Sequence, residues 1–390
     1  LKNRIMFNIN ALALSLLSIF LTFPTATGQD PYTLPPYEGP KECPYAPDTM
    51  GYTDTTVLHN DMLHDALNVT EFQDEYPYVL CPFTTFDFGT VVDDNFTQVV
   101  TPLIPIMSNT SFYCGSDGAV QNECILTGGV NHVIYFDQFL LSGILFRGLT
   151  FTKSGDGTVM ATGNPYSNAF FVDCEFMANE GAAVIFIQYD GAPGKGRRLH
   201  DEPKFREYRL PFDESVYGMI PRSEPQDVSY SNDLPRRLAQ ELGIAAFDED
   251  SIYGVKEYRE RHEGRNLQGY PVGMPVYLVG CRFEDNFQRY AVILNVAGLV
   301  QIINSNFEDN QSSQLATVTV LYGGALAMHE NTHFKSNFDQ IGPVFIDKYS
   351  HLILNEEVTG LTNLGGNKGA CDILLEDFES ECLNTTVNSC

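Results

Sequence analysis

The chain has 390 residues, of which 50 are Asp or Glu and 23 are Lys or Arg, and its formal net charge is −27 at pH 7. A surface this acidic repels phosphate backbones, which excludes nucleic-acid binding as the main function. The same charge suits cations, basic partners or solubility in a salty medium.

Residues 1–28 have the pattern of a secretory signal peptide. Lys2 and Arg4 precede an apolar run from Ala11 to Phe23, and small residues follow at 26–28. We therefore predict a secreted protein that is extracellular or held at the cell surface. No later stretch is apolar for long enough to span a bilayer, so no membrane span is expected in the mature chain.

Five Asn-x-Ser/Thr sequons agree with secretion and are predicted glycosylation sites. They are Asn68, Asn95, Asn109, Asn310 and Asn384.

The chain contains nine cysteines, and in a secreted protein most of them are expected to be bridged. Cys114 and Cys124 are close in sequence and flank a glycine-containing loop, which favours a disulfide between them. The further expected pairs are Cys43 with Cys81, and Cys371 with either Cys382 or Cys390.

Residues 29–78 are rich in Pro and Tyr and show little periodicity, so we assign them to an N-terminal arm and cap. From residue 79 onward, short apolar runs alternate with glycine-containing turns, and no long stretch has the helical period. Residues 79–191 are accordingly predicted to form the first strands of the fold.

Four segments share a pattern in which a small residue lies two positions before a Phe and an Asn lies three positions after it. The Asn residues that end these segments are Asn179, Asn286, Asn310 and Asn337. The spacing of two puts the small residue and the Phe on the same face of a strand. We expect each Asn to be structural, because Asn tolerates left-handed backbone and so ends a strand with a turn.

The repeat length predicts a solenoid. The Phe residues are 24 positions apart from Phe283 to Phe307 and 27 apart from Phe307 to Phe334. A second apolar run follows each Asn, so one repeat is strand, Asn turn, strand and small-residue turn. Such a unit has no face that it can bury alone and must stack on its neighbours.

Cys174 and Cys281 occupy the same position of the repeat. In stacked coils they would lie one rung apart, roughly 4.8 Å. This distance permits a disulfide, whereas their parallel side-chain directions favour a buried thiol stack. Both alternatives remain open at this point.

One insertion interrupts the repeat. Phe176 and Phe283 are 107 positions apart, and removing about 83 residues near 192–274 restores a coil of 24. The insertion holds 13 of the 23 Lys and Arg residues, and 231–242 and 255–262 are predicted to be short helices. Its dibasic sites are either processed by a protease or part of an ordinary mixed-charge loop.

These features resemble the right-handed parallel β-helix, or pectin-lyase-like, superfamily. The resemblance covers 79–370 without the insertion and rests on the coil length, the stacked Phe and small residues, and the Asn at one turn. The segment 114–124, followed by Gly128-Gly129, is similar to the first coils of secreted non-catalytic β-helix repeat proteins. The implied fold is an all-β, right-handed, single-stranded parallel β-helix with an N-terminal cap, a second group of coils at 275–370 and a Cys-containing tail at 371–390.

Many members of that superfamily act on acidic polysaccharides, and the lyases place calcium-binding carboxylates on one strand face with an Arg base nearby. Arg282, with Glu284 and Asp285 beside it, is the candidate catalytic group that this resemblance implies. The alternative is that these outward charges only keep the sheet soluble. The Gly-His-Gly segment of the hydrolases is absent from the sequence.

Acidic residues precede the Asn at the same turn of two adjacent coils. Glu284, Asp285, Glu308 and Asp309 would repel one another unless a cation or water lies between them. Ca²⁺ takes six to eight oxygen ligands from such clusters, so these four are the candidate calcium ligands, and Glu356-Glu357 would extend the strip. The alternative is a solvated acidic turn, because the next coil supplies a lysine there and no acid.

Other chemistry finds little support. His329 and His333 would lie roughly 13 Å apart on a strand, too far to share an ion. No Ser lies in a nucleophile-elbow sequence, and no Gly-rich phosphate loop is present. The predicted function is a secreted non-catalytic β-helix protein of the cell surface or extracellular matrix, whose acidic face binds polysaccharide, cations or protein. The alternative function is a polysaccharide lyase or glycoside hydrolase of the same superfamily.

Overall fold

A computed structural model describes most of the regions in which strands were predicted. The described residues are 36–69, 73, 75–92, 95–96, 100–135, 141, 143–163, 167–189, 275–329, 331–347, 350–354, 358–359, 367–368 and 373–375. The following predicted features lie outside these residues: the signal peptide, the insertion with its two predicted helices and its dibasic sites, Cys371, Cys382, Cys390, Asn384 and Glu356-Glu357.

The described chain consists of 28 strands, one α-helix and one 3-10 turn at Val120–Asn122. The helix α1 is Thr55–Asn68. The strands before the insertion are β1 (Lys41–Cys43), β2 (Ala46–Gly51), β3 (Tyr76–Leu80), β4 (Thr85–Asp87), β5 (Val91–Val92), β6 (Asn95–Phe96), β7 (Thr110–Cys114), β8 (Cys124–Thr127), β9 (Val133–Tyr135), β10 (Ile144–Arg147), β11 (Leu149–Thr152), β12 (Val159–Gly163), β13 (Ala169–Val172), β14 (Glu175–Met177) and β15 (Glu180–Tyr189). The strands after it are β16 (Pro275–Val279), β17 (Arg282–Glu284), β18 (Phe287–Val296), β19 (Leu299–Ile303), β20 (Asn306–Glu308), β21 (Gln311–Ser312), β22 (Val318–Leu321), β23 (Ala325–His329), β24 (His333–Lys335), β25 (Phe338–Asp339), β26 (Val344–Ile346), β27 (His351–Leu354) and β28 (Ile373–Leu375).

Three parallel sheets contain nearly all of these strands, and two short antiparallel pairs, β1 with β2 and β5 with β6, complete the set. Sheet I contains β3, β7, β10, β13, β16, β19, β23 and β27. Sheet II contains β4, β8, β11, β14, β17, β20 and β24. Sheet III contains β9, β12, β15, β18, β21, β22, β25, β26 and β28.

The chain visits the three sheets in turn. Strands β13, β14 and β15 lie on sheets I, II and III, and the next three strands in sequence pair beside them in the same order. Phe176 aligns directly with Phe283, although residues 190–274 separate these two repeats in the chain. This all-β, parallel arrangement with one helix is consistent with a β-helix-like solenoid.

Stacked phenylalanines fill the core behind sheet II. The rings of Phe176, Phe283, Phe307 and Phe334 follow one another with centroids 4.7 Å apart and planes within 5°. In-register parallel strands force this geometry, because identical side chains repeat at the strand spacing of about 4.8 Å. Parallel rings stacked in this way bury apolar area on both of their faces. The predicted alignment of the repeats is therefore confirmed.

Helix α1 was not predicted. The side chain of Asp54 caps it by accepting a 2.7 Å hydrogen bond from the backbone N of Thr56. Leu58 and Met62 pack into the main hydrophobic core, while His59 and Asp61 on the same helix are also buried. Burial of polar residues beside apolar ones blurs the helical period, which explains why the sequence pattern of 29–78 showed no helix.

Two of the expected disulfides are confirmed. Cys43 is bonded to Cys81, which joins the β1–β2 hairpin to the end of β3, and Cys114 is bonded to Cys124. Cys174 and Cys281 are free thiols and buried, so of the two alternatives for this pair the structure has the thiol stack. In the described part of the chain, no helix has the length and apolarity needed to cross a membrane.

Candidate functional site

A continuous asparagine ladder positions the turn between sheets II and III. Asn179, Asn286, Asn310 and Asn337 are buried and joined in sequence order, and the ladder continues to Asn367. From Asn286 onward, each Oδ1 accepts from both the backbone N and the Nδ2 of the preceding Asn, at 2.8–3.2 Å. The Oδ1 of Asn179 accepts instead from the backbone N and the Oγ of Ser154, both at 3.1 Å. Asn367 escaped the sequence analysis because Leu364, not Phe, lies three positions before it.

The ladder Asn residues do not themselves adopt the left-handed backbone that was predicted for them. The left-handed residue is the one before each ladder Asn, namely Ala178, Asp285, Asp309 and Ser336, with φ between 51° and 56°. The Asn itself serves through its buried amide, which satisfies backbone groups that the turn leaves without partners. This geometry leaves Asp285 and Asp309 exposed at the corner.

The outer face of sheet II carries two rows of side chains beside this corner, all of them polar except Met177. The first row is Glu175, Arg282, Asn306 and His333, and the second is Met177, Glu284, Glu308 and Lys335. Alternate residues on a strand point to opposite faces, so these side chains lie opposite the stacked phenylalanines. The structure thus brings the predicted residues Arg282, Glu284 and Glu308 onto one surface.

Basic side chains of the protein itself neutralise the acidic row. Arg282 Nη2 lies 2.5 Å from Glu284 Oε2, and Lys335 Nζ pairs with Glu308. Hydrogen bonding to Glu308 is the main cause that raises the pKa of Lys335 above its ordinary value. Glu284 and Glu308 therefore each have a basic side chain of the protein beside them.

The calcium expectation is not supported by this arrangement. Among the described residues, no group of three or more His, Cys, Asp or Glu side chains is placed to hold a metal ion. Glu284 and Glu308 are adjacent in register, and the third position of their row is Lys335, the lysine that favoured the alternative of a solvated acidic turn. His329 ends a strand of sheet I and His333 begins a strand of sheet II.

Two exposed phenylalanines extend the surface onto sheet III, and sequence reasoning missed both. Phe287 and Phe338 are 50% and 53% exposed, and Gln311 lies between them in register. The two rings are thus two strand spacings apart, roughly 9.6 Å. A signal was present in the sequence, because each of these Phe residues directly follows a ladder Asn.

We call the combined surface the Asn-turn face. It consists of the side chains of Arg282, Glu284, Phe287, Asn306, Glu308, Gln311, His333, Lys335 and Phe338. Exposed aromatic rings in a row with charged and amide groups beside them can bind a ligand that has both apolar and hydroxyl faces.

A buried carboxyl lies directly behind this face. Asp339 follows Phe338 on β25, and its side chain turns inward to 3% exposure. Both carboxyl oxygens lie within hydrogen-bond distance of Thr317 Oγ1, at 3.0 and 2.9 Å. Burial is the largest influence on this group and raises the pKa of Asp339 to about 7. The sequence contained no indication of this inward acid.

Comparisons with protein families, with curated proteins and with solved structures return no match for this chain.

Proposed function

We propose that the protein is a secreted, non-catalytic right-handed parallel β-helix of the pectin-lyase-like type that binds an extended neutral polysaccharide on the Asn-turn face. Right-handedness is supported by the general rule that crossovers between parallel strands of one sheet are right-handed in about 98% of cases. The two disulfides indicate an oxidising environment, which supports a place at the cell surface or in the extracellular matrix.

The observation that carries the proposal is the pair of exposed rings, Phe287 and Phe338. They lie in one row on a rigid parallel sheet, separated by Gln311. Their spacing is of the order of one disaccharide unit of an extended glycan, so each ring can stack on the C–H face of alternate sugars. Gln311, Asn306 and the ion pairs then supply donors and acceptors for hydroxyl groups.

The charge of the protein favours a neutral polysaccharide as the ligand. The whole chain is strongly acidic, and an anionic polymer is repelled as it approaches. On the face itself, Glu284 and Glu308 balance Arg282 and Lys335, and Asp285 and Asp309 are exposed at the adjoining corner, so this surface has no excess of basic charge to attract an anionic polymer. Both facts favour a neutral glycan over an acidic one.

The same ion pairs support binding without turnover. A lyase needs a basic group free to remove a proton from the sugar, and general acid–base catalysis needs that group within hydrogen-bond reach. Arg282 is instead held by Glu284 at 2.5 Å. A polysaccharide lyase or glycoside hydrolase remains the alternative function, and the test below distinguishes it.

The test is affinity electrophoresis of the mature protein in gels that contain neutral glucans, mannans or xylans, with pectate and alginate as acidic polymers. We expect retardation by at least one neutral polymer. The double variant Phe287→Ala/Phe338→Ala should weaken that binding at least about tenfold, because two stacking contacts are lost. Tyr45→Ala is the matched control, since Tyr45 is an exposed aromatic on the β1–β2 turn.

Two outcomes contradict the proposal. If the double variant binds as tightly as the wild type, the exposed rings do not form the site. If reducing ends or unsaturated products appear and Arg282→Ala abolishes them, the protein is an enzyme of the alternative class.

A further inference from the structure

The outer face of sheet I carries a second hydrophobic cluster that is separate from the main core. Its buried members are Leu145, Phe170, Val172, Tyr277, Val279 and Ile303. All six have exposures between 0% and 3%. The cluster spans four neighbouring strands, β10, β13, β16 and β19.

These side chains point away from the main core. On β13, Phe171 belongs to the main core whereas Phe170 belongs to the second cluster, as the alternation of a strand requires. On β16 the same division separates Leu278 from Tyr277. The rings of Phe170 and Tyr277 stack with centroids 4.5 Å apart and planes within 5°, so the outer face is itself well packed.

The burial of this face requires a second layer. The corresponding outer positions of sheet II are occupied by Arg282, Asn306 and His333, which are exposed. Every buried member of the sheet I cluster lies on sheet I, so within the described residues no other element adds a buried apolar side chain to it. Gln301 belongs to the same face at 1% exposure, and its Oε1 has no hydrogen-bond partner among those residues.

We propose that residues 190–274 of the same chain dock on this face and form its outer layer. The segment leaves the fold at Tyr189, the end of β15, and returns at Pro275, the start of β16. Strand β16 carries Tyr277 and Val279, two members of the cluster, so the segment ends at the edge of the surface it covers.

The composition of the segment fits this role. It includes Phe205, Phe212 and Phe247, which supply apolar side chains for an inner side. Its many charged residues suit an outer side that faces water. Without a covering segment, the apolar face of sheet I would be exposed to solvent. Docking therefore gives the long insertion a structural role.

Photo-crosslinking of the full-length protein tests the proposal. Tyr277→p-azidophenylalanine places a reactive group of nearly the same shape on the covered face, and Phe338→p-azidophenylalanine is the control on the exposed Asn-turn face. We expect the Tyr277 variant to crosslink to peptides from 190–274 in a product of monomer mass. The control should crosslink to none of these peptides.

Two other crosslinking results would contradict the proposal. Crosslinks from position 277 to a second copy would assign the face to a homodimer, and crosslinks confined to neighbouring strands of sheet I would show that no segment covers it. A second crosslinking experiment replaces leucine by photo-leucine throughout the chain and follows the products of position 145. In that protein Tyr277 and Phe170 are native, so their packing is unchanged. Absence of 190–274 peptides from the Leu145 products would also overturn the proposal.

Discussion

Asn286 directs both of its nitrogen donors to one oxygen of Asn310: its backbone N lies 3.2 Å and its Nδ2 lies 2.8 Å from Asn310 Oδ1. The remaining amide hydrogen of Asn286 goes to the carbonyl oxygen of Phe176 at 2.8 Å. All of these groups are buried, so each bond satisfies a donor or acceptor that water cannot reach. The ladder is therefore a structural element of the corner that supports the Asn-turn face.

Removing one ladder amide should destabilise the fold strongly. We expect Asn310→Ala to lower the free energy of unfolding by about 2–4 kcal/mol, because the donors of Asn286 and the Phe283 carbonyl lose their partner. Urea denaturation followed by circular dichroism measures this change. Asn306→Ala is the control, since Asn306 is exposed on the neighbouring strand and should change stability by less than about 0.5 kcal/mol. Equal effects of the two variants would contradict the structural role of the ladder.

The predicted glycosylation sites should differ in whether they carry a glycan. The prediction of a glycan on Asn310 conflicts with the structure, because Asn310 is buried and its Nδ2 donates to Phe283 O at 3.0 Å and Asn337 Oδ1 at 2.9 Å. Asn68 is exposed at the end of α1 and should accept a glycan. Peptide mapping with and without glycosidase measures both sites. A glycan on Asn310 in the folded, secreted protein would contradict the ladder at this position.

The buried acid predicts a specific pH dependence. Because burial raises the pKa of Asp339 to about 7, the folded state binds this proton more tightly than the unfolded state does. The contribution of Asp339 to stability is therefore complete below about pH 4 and is lost as the pH rises toward 7. Asp339→Asn removes the charge and keeps a partner for Thr317, so it should be stabilising relative to wild type at pH 7.5, on the order of 4 kcal/mol, and nearly neutral at pH 4.

Comparing the two proteins at each pH isolates this group. The pKa of buried His132 is lowered to about 4 by burial, so its contribution to stability rises with pH from about 4 to 6.5 and opposes the effect of Asp339. His132 is common to both proteins and cancels in the difference. A stability difference that stays constant from pH 4 to 7.5 would show that Asp339 has an ordinary pKa in the folded state.

The thiol stack should be inert and replaceable. Burial raises the pKa of Cys174 to about 12 and that of Cys281 well above its ordinary value, so neither should react with iodoacetamide in the native protein. Cys281→Ser should cost no more than about 1 kcal/mol, because Ser305 follows it in the same row and donates to the carbonyl of Ile303 at 2.9 Å. Peptide-resolved alkylation with and without denaturant, together with thermal melting, tests both statements. Native-state labelling of either thiol, or a disulfide joining them, would contradict the arrangement.

The repeat itself was readable from sequence because its signals are local. A Phe three positions before an Asn, with a small residue two before the Phe, was sufficient to align Phe283, Phe307 and Phe334 in one stack. The same logic failed at Asn367, which is part of the ladder because the amide of Asn337 on the preceding coil donates to it, and not because of its local sequence pattern. It failed also at α1, whose buried His59 and Asp61 have no separate sequence signature.

The amino-acid sequence by itself determined the strand alternation, the coil length and the Cys114–Cys124 disulfide, since each depends on residues close together in one repeat. Only the tertiary structure decided that Lys335 neutralises Glu308, that Phe287 and Phe338 form one exposed row, and that Phe170 and Tyr277 face outward yet are buried. These facts depend on which side chains become neighbours across coils and on what covers each sheet. The strand spacing decides which side chains become neighbours, and packing between distant segments decides which sheet faces are covered. Neither can be read from the sequence of a single repeat.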